Sequence, residues 1–170
     1  MDSDYSLSSS KITTRDTLSN KKSKILDQLI KHIHSTDSKN TRSYHCAVVV
    51  QNGKILSYGI NKNRSLLKRC CLTSVHAEID ALYNYNNNHH AHSQRLSLWV
   101  IRLNKKCELR NSMPCNACMN AIKKFNIRKI VYSTSNGTLM ELKLNEFHLI
   151  GYDSLTQQRF PELSRSWSIF

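Results

Sequence analysis

Cys46-Ala47-Val48-Val49-Val50-Gln51-Asn52-Gly53-Lys54-Ile55-Leu56-Ser57-Tyr58-Gly59-Ile60 is the stretch that decides the fold. Its first five residues form a short β-branched run, and its last six are apolar enough for a return strand. Between them stands Asn52-Gly53, which supplies the positive φ values that a type I′ turn requires. The segment therefore reads as an antiparallel hairpin. A sheet begins here, and the rest of the chain has to supply its remaining strands and its cover.

Downstream, residues 76–85 read as a helix with Ile79, Leu82 and Tyr83 apolar. Residues 84–93 are dense in Asn and His and read as a loop. Leu96-Ser97-Leu98-Trp99-Val100-Ile101-Arg102-Leu103 is a strand apolar on both faces, hence central. A basic loop over 104–112 precedes a helix over 115–125, with Asn126 suited to a left-handed cap. Residues 128–134 form a strand, and Ser135-Asn136-Gly137 a turn. Met140, Leu142 and Leu144 then alternate with Glu141, Lys143 and Asn145, a period of two. The turn is too short for a crossover, so these last two strands should be antiparallel.

Upstream, Ile25, Leu26, Leu29, Ile30 and Ile33 make one apolar stripe of a helix over 21–36. Residues 1–20 are polar and read as a flexible tail. The element order is α-β-β-α-β-α-β-β, an α/β sheet with helices on its faces. The division expected is a tail over 1–20, one domain over 21–150 and an extension over 151–170, where Phe160, Trp167 and Phe170 could dock.

The chain has 170 residues, with 25 Lys+Arg against 12 Asp+Glu and a formal net charge of +13. Such an excess attracts polyanions or phosphorylated small molecules. No apolar run approaches the roughly 20 residues of a membrane span. There is no apolar leader, so a reducing, cytoplasm-like compartment is expected rather than secretion, and the six cysteines read as thiols rather than a disulfide framework.

Two segments carry chemistry, Val75-His76-Ala77-Glu78 and Ser112-Met113-Pro114-Cys115-Asn116-Ala117-Cys118, each at a predicted helix start. Cys115 and Cys118 are three apart and share a helix face. Pro114 suits a position at or just before the first helical residue. A helix N-terminus favours thiolates. With His76 they make a three-ligand zinc site whose fourth position is open to an acidified water. Residues two apart on a helix point to nearly opposite sides. His76 and Glu78 therefore share a centre only if His76 stands at the very end of its helix. Glu78 can then move a proton from that water to a ring nitrogen and a leaving amine. A closed structural site, with Cys70, Cys71 or Cys107 as fourth ligand, leaves Glu78 without a role. The His89, His90 and His92 tract reads as solvated loop.

His-Ala-Glu followed by Pro-Cys-x-x-Cys resembles the signature of the zinc-dependent cytidine and deoxycytidylate deaminase superfamily, over residues 44–145. The resemblance implies a three-layer α-β-α sandwich around a five-stranded mixed sheet. It implies zinc held by His76, Cys115 and Cys118, and Glu78 as proton shuttle. It also implies a sugar contact by Asn61, in Tyr58-Gly59-Ile60-Asn61, and substrate contacts at Ala77 and Pro114. The implied reaction is hydrolytic deamination of the cytosine of a nucleoside or nucleotide, releasing ammonia. Ser112-Met113-Pro114-Cys115 is also similar to the polynucleotide-acting branch, and the antiparallel last hairpin to the free-nucleoside branch. Two alternatives therefore stay open: a base in RNA or single-stranded DNA as substrate, reached through the basic loops, and a non-catalytic zinc-bound packaging protein. The superfamily also implies a possible homo-oligomer. The Asn and Lys richness is similar to deaminase-like proteins of large DNA viruses, which makes virion association a further expectation.

Overall fold

Leu96–Leu103 (β4) lies at the centre of the sheet and is buried along almost its whole length. The computed structural model describes residues 11–36, 44–62, 75–88 and 95–145. In chain order the other strands are Lys11–Thr13 (β1), Tyr44–Gln51 (β2), Lys54–Ile60 (β3), Leu109–Arg110 (β5), Ile127–Ser133 (β6) and Leu139–Lys143 (β7). The helices are Asn20–Ser35 (α1), Ala77–Asn88 (α2) and Asn116–Ile122 (α3). The sheet runs β1-β7-β6-β4-β2-β3, with β5 paired to β4. The β4–β6 pair is parallel and the others are antiparallel, so the sheet is mixed.

Both faces of the sheet are covered, as the sandwich requires. Ile25, Leu26, Leu29 and Ile33 of α1 bury against Val48, Trp99, Ile101 and Val131. Each such aliphatic side chain contributes about 1.5–3 kcal/mol on burial. On the opposite face, α2 and α3 cover Ala47, Val49, Leu98, Val100 and Ile130. Alternation along β4 thus sends even-numbered residues toward α2 and α3, and odd-numbered ones toward α1.

The first hairpin turns where the Asn-Gly pair stands, with φ of 51° at Asn52 and 84° at Gly53. The last hairpin is antiparallel, with Ile130 opposite Leu142 and Tyr132 opposite Met140. There only Gly137 is left-handed, at φ 76°, and its N–H donates to the Thr134 carbonyl.

Several expectations are corrected. The sheet has seven strands rather than five, because β1 adds to β7 and β5 folds back on β4. Of the segment read as a tail, Lys11–Thr13 is a strand and Asn20 opens α1. Helix α2 continues through the Asn tract to Asn88, since Asn84 donates its amide to the Tyr58 carbonyl at 2.8 Å. Tertiary contact there overrides poor helix propensity. Tyr85, not Tyr83, faces the core. Asn126 is not left-handed, and α3 ends at Ile122. Residues 1–10, 37–43, 63–74, 89–94 and 146–170 lie outside the described residues. With them go the expectations for Cys70, Cys71, the His89, His90 and His92 tract, and the C-terminal extension.

Candidate active site

Helix α2 is seated on β3 by a close approach and four hydrogen bonds. Gly59 lies under the helix, where a Cβ would collide with the Ala77 carbonyl and the Ala81 backbone. Ser57 Oγ donates to the Ala81 carbonyl at 2.8 Å. Asn84 holds Tyr58, and the Ile60 N–H donates to Asp80 Oδ2 at 3.1 Å. Asn61 Oδ1 accepts the Ala77 N–H at 2.8 Å, satisfying the first orphan donor of the helix. Lys62 and Val75 form an isolated bridge in which each donates its N–H to the other's carbonyl. His76 follows directly, and its carbonyl accepts the Asp80 N–H. It therefore stands at the helix end, as a shared centre with Glu78 demands.

The second segment is fixed by a buried serine pair. Ser112 Oγ donates to the Val100 carbonyl at 2.8 Å and lies 2.8 Å from Ser133 Oγ. Ser133 Oγ in turn donates to the Arg110 carbonyl at 2.6 Å. This pins the loop after β5 to the ends of β4 and β6. Ser112 is thereby a structural anchor. Pro114 is buried two residues ahead of α3, just outside the helix rather than at its first residue, and Cys115 is the N-cap. Cys118 lies three residues on, at the same helix end.

His76, Cys115 and Cys118 bring their ligand atoms within 4.8 Å of one another. His76 Nδ1 is 3.2 Å from Cys118 Sγ and 3.6 Å from Cys115 Sγ. With Zn–N near 2.05 Å and Zn–S near 2.3 Å, a tetrahedron has an N–S edge of about 3.6 Å. The donor set and its spacing therefore fit zinc. Cys107 is exposed, stands in a separate turn at φ 60°, and is not in the cluster. Among the described residues the cluster thus offers three ligands rather than four.

The hydrogen bond with Cys118 pulls the Cys115 thiol down to about 4, against burial and with help from His76. Burial holds the Cys118 thiol up, so the free site keeps one thiolate. Burial alone would lower His76, but its hydrogen bond to Cys115 and the nearby Glu78 carboxylate raise it to about 9. Burial pushes the Glu78 carboxyl above its ordinary value, opposed first by His76. Burial of this kind favours the protonated form, so the carboxyl is suited to take up a proton and hold it for delivery.

Sequence reasoning missed His45. Asn61 Nδ2 lies 3.2 Å from His45 Nδ1, and an amide nitrogen can only donate, so His45 accepts through Nδ1. Burial, with Arg102 and His76 adding, lowers the His45 ring to about 3, so the ring is neutral. No sequence motif marks this residue; only its place on β2 opposite Arg102 does. Lys62, which follows Asn61, carries no sequence sign of a partner. Its Nζ pairs with buried Asp80 at 2.7 Å.

A mixed sheet between helices, with His, Cys and Cys at two helix N-termini, defines a zinc-binding α/β protein of the deaminase class. The model of the cytidine and deoxycytidylate deaminase zinc-binding region matches residues 19–134, and the chain belongs to that family. A cytidine deaminase from Burkholderia pseudomallei shares the fold with a TM-score of 0.54 at 15% identity, covering 79% of this chain and all (100%) of that one. A dCMP deaminase from the cyanophage S-TIM5, in apo form, gives 0.47 at 21% identity, covering 76% and 94%. No curated protein sequence matches the chain. Among the described residues no helix is long and apolar enough to cross a membrane.

Proposed function

We propose that the chain is a zinc-dependent hydrolytic deaminase of the cytosine base in a nucleoside or nucleotide. The observation that carries this reading is the buried Glu78 carboxyl beside a cluster of three ligands, with His76 at the helix end. His76 Nδ1, Cys115 Sγ and Cys118 Sγ would hold the ion. Zinc, when bound, supplies a strongly acidified water. Glu78 takes a proton from the attacking water and delivers it to the ring nitrogen; it then takes the second proton from the new C4 hydroxyl and passes it to the departing amine, so that a C4 carbonyl and ammonia remain. Burial by α2 and α3 excludes bulk water from that exchange. Asn61 commits its oxygen to Ala77 and one amide hydrogen to His45, and its second amide hydrogen is what it can offer a sugar hydroxyl. Ala77 and Pro114 shape the walls on either side as the substrate's close neighbours.

The test is turnover by zinc-loaded protein across cytidine, deoxycytidine and their monophosphates, followed as uracil formation and ammonia release in equal amounts. Zinc-loaded, folded protein that converts none of them refutes the reading.

A further inference from the structure

The zinc end of the sheet carries a row of polar residues on the face that bears α2 and α3. Asn61 leaves β3, with its N–H bonded to the His45 carbonyl. On β2, His45 stands opposite Arg102 of β4. On β5, Arg110 stands opposite Arg102 on the other side. Neighbouring strands lie about 4.8 Å apart, so Arg102 is one strand spacing from each. Val100 packs under α2 and α3, and alternation places Arg102 on that same face. Arg102 also contributes to the lowering of the His45 ring together with His76, so its charge is felt at the metal-binding end.

Two arginines directly opposite each other repel and cost stability. Here they flank a concave surface of ≈ 420 Å³, lined also by Lys105, Asn111 and Ser135 and by no acidic residue. Arg102 is exposed and lines that surface. Glu108 partly offsets the charge through Arg110 Nη2 at 2.7 Å, and Asn104 holds the same carboxylate oxygen. That ion pair is exposed on both sides and of the kind worth little, so an anion can displace it. Asn111 opens the loop that ends at Pro114 and Cys115, so the surface adjoins the ligand segment. Guanidinium forks match phosphate oxygens two at a time, which a repelling pair without a ligand does not explain.

We infer that Arg102 and Arg110 form a clamp for a phosphate group on the substrate's sugar, so that the site takes nucleotides in preference to free nucleosides. The inference rests on the deaminase reading above and assigns that same site its substrate class. The phosphate can belong to a monophosphate or to a phosphodiester, and the substrates tested separate the two.

The experiment measures kcat/KM of zinc-loaded protein for cytidine, CMP, dCMP and a single-stranded oligonucleotide with one cytosine, with calorimetric binding of CMP and cytidine in parallel. Wild type should favour CMP or dCMP over the nucleoside by tenfold or more. Arg102→Ala and Arg110→Ala should each cut the nucleotide-to-nucleoside ratio by about 10- to 100-fold, as expected for loss of a charge-assisted contact. Arg102→Lys should fall between, keeping the charge and losing the fork. Arg128→Ala, at the far end of β6, should leave the ratio unchanged. An oligonucleotide turned over with the same arginine dependence identifies a phosphodiester as the group held. Equal turnover and binding of CMP and cytidine, unaltered by the arginine variants, overturns the clamp and leaves the deaminase reading standing. Preferential CMP binding with no turnover of any substrate refutes the deaminase reading and leaves the clamp.

Discussion

Replacing Gly59 by alanine tests how the fold delivers His76 and Glu78 to one place. The added Cβ would stand 2.7 Å from the Ala81 Cα and collide with the Ala77 carbonyl and Ala81 nitrogen. Carbon contacts settle at about 3.5–4.0 Å, so α2 must retreat by about 1 Å. The obstacle is helix backbone and cannot swing aside, which places the cost at the upper end for overpacking, about 3 kcal/mol. A strand Gly→Ala change without such a clash would instead stabilise by roughly 0.5–1 kcal/mol, so the sign itself is diagnostic. For a chain of this size about 3 kcal/mol lowers Tm by roughly 6–12 °C. The retreat also carries His76 away from Cys115 and Cys118, beyond the roughly 0.2 Å that metal ligands tolerate. Urea unfolding and a zinc titration on the same preparations read both effects. Gly59→Ala protein as stable as wild type, with unchanged zinc affinity, would refute this account of the helix seat.

Two further perturbations probe the frame. Asp80→Asn removes the charge that pairs with Lys62 and weakens the bond to the Ile60 amide; it should cost about 1–3 kcal/mol in urea unfolding, and an unshifted midpoint would contradict the pairing. Burial alone would raise the Glu141 carboxyl, but hydrogen bonds from Lys22 at 2.7 Å and Lys129 at 3.0 Å outweigh it and hold it below the ordinary range. Its contribution is therefore full above the unfolded carboxylate value of about 4.3 and is lost as pH falls through the lower folded value. Glu141→Gln should flatten the decline of the urea midpoint below about pH 4, and an unaltered decline would count against the bridge between α1 and the sheet.

Short-range signals carried the most. Asn52-Gly53 marked its hairpin because positive φ is a local demand, and the period of two over Met140–Leu144 marked β7 for the same reason. The apolar run of β4 announced its central place. The cluster of His76, Cys115 and Cys118 was legible because helix starts and ligand spacing are written along the chain. What escaped depends on distant partners. Lys11–Thr13 has no strand signature, and pairs only because β7 offers an edge. Asn84 is helical because Tyr58 accepts its amide. Lys62 reads as a solvated cation until Asp80, buried on the next helix, comes beneath it. His45 and Arg102 are far apart in sequence and meet only through strand register.

The central claim is that Glu78 moves protons beside an ion it does not ligate. The most direct measurement is zinc content and turnover of the Glu78→Gln variant on the substrate that wild type prefers. Equal zinc per chain with turnover reduced by about 100-fold or more is the result this arrangement predicts. Undiminished turnover at full zinc content would contradict it.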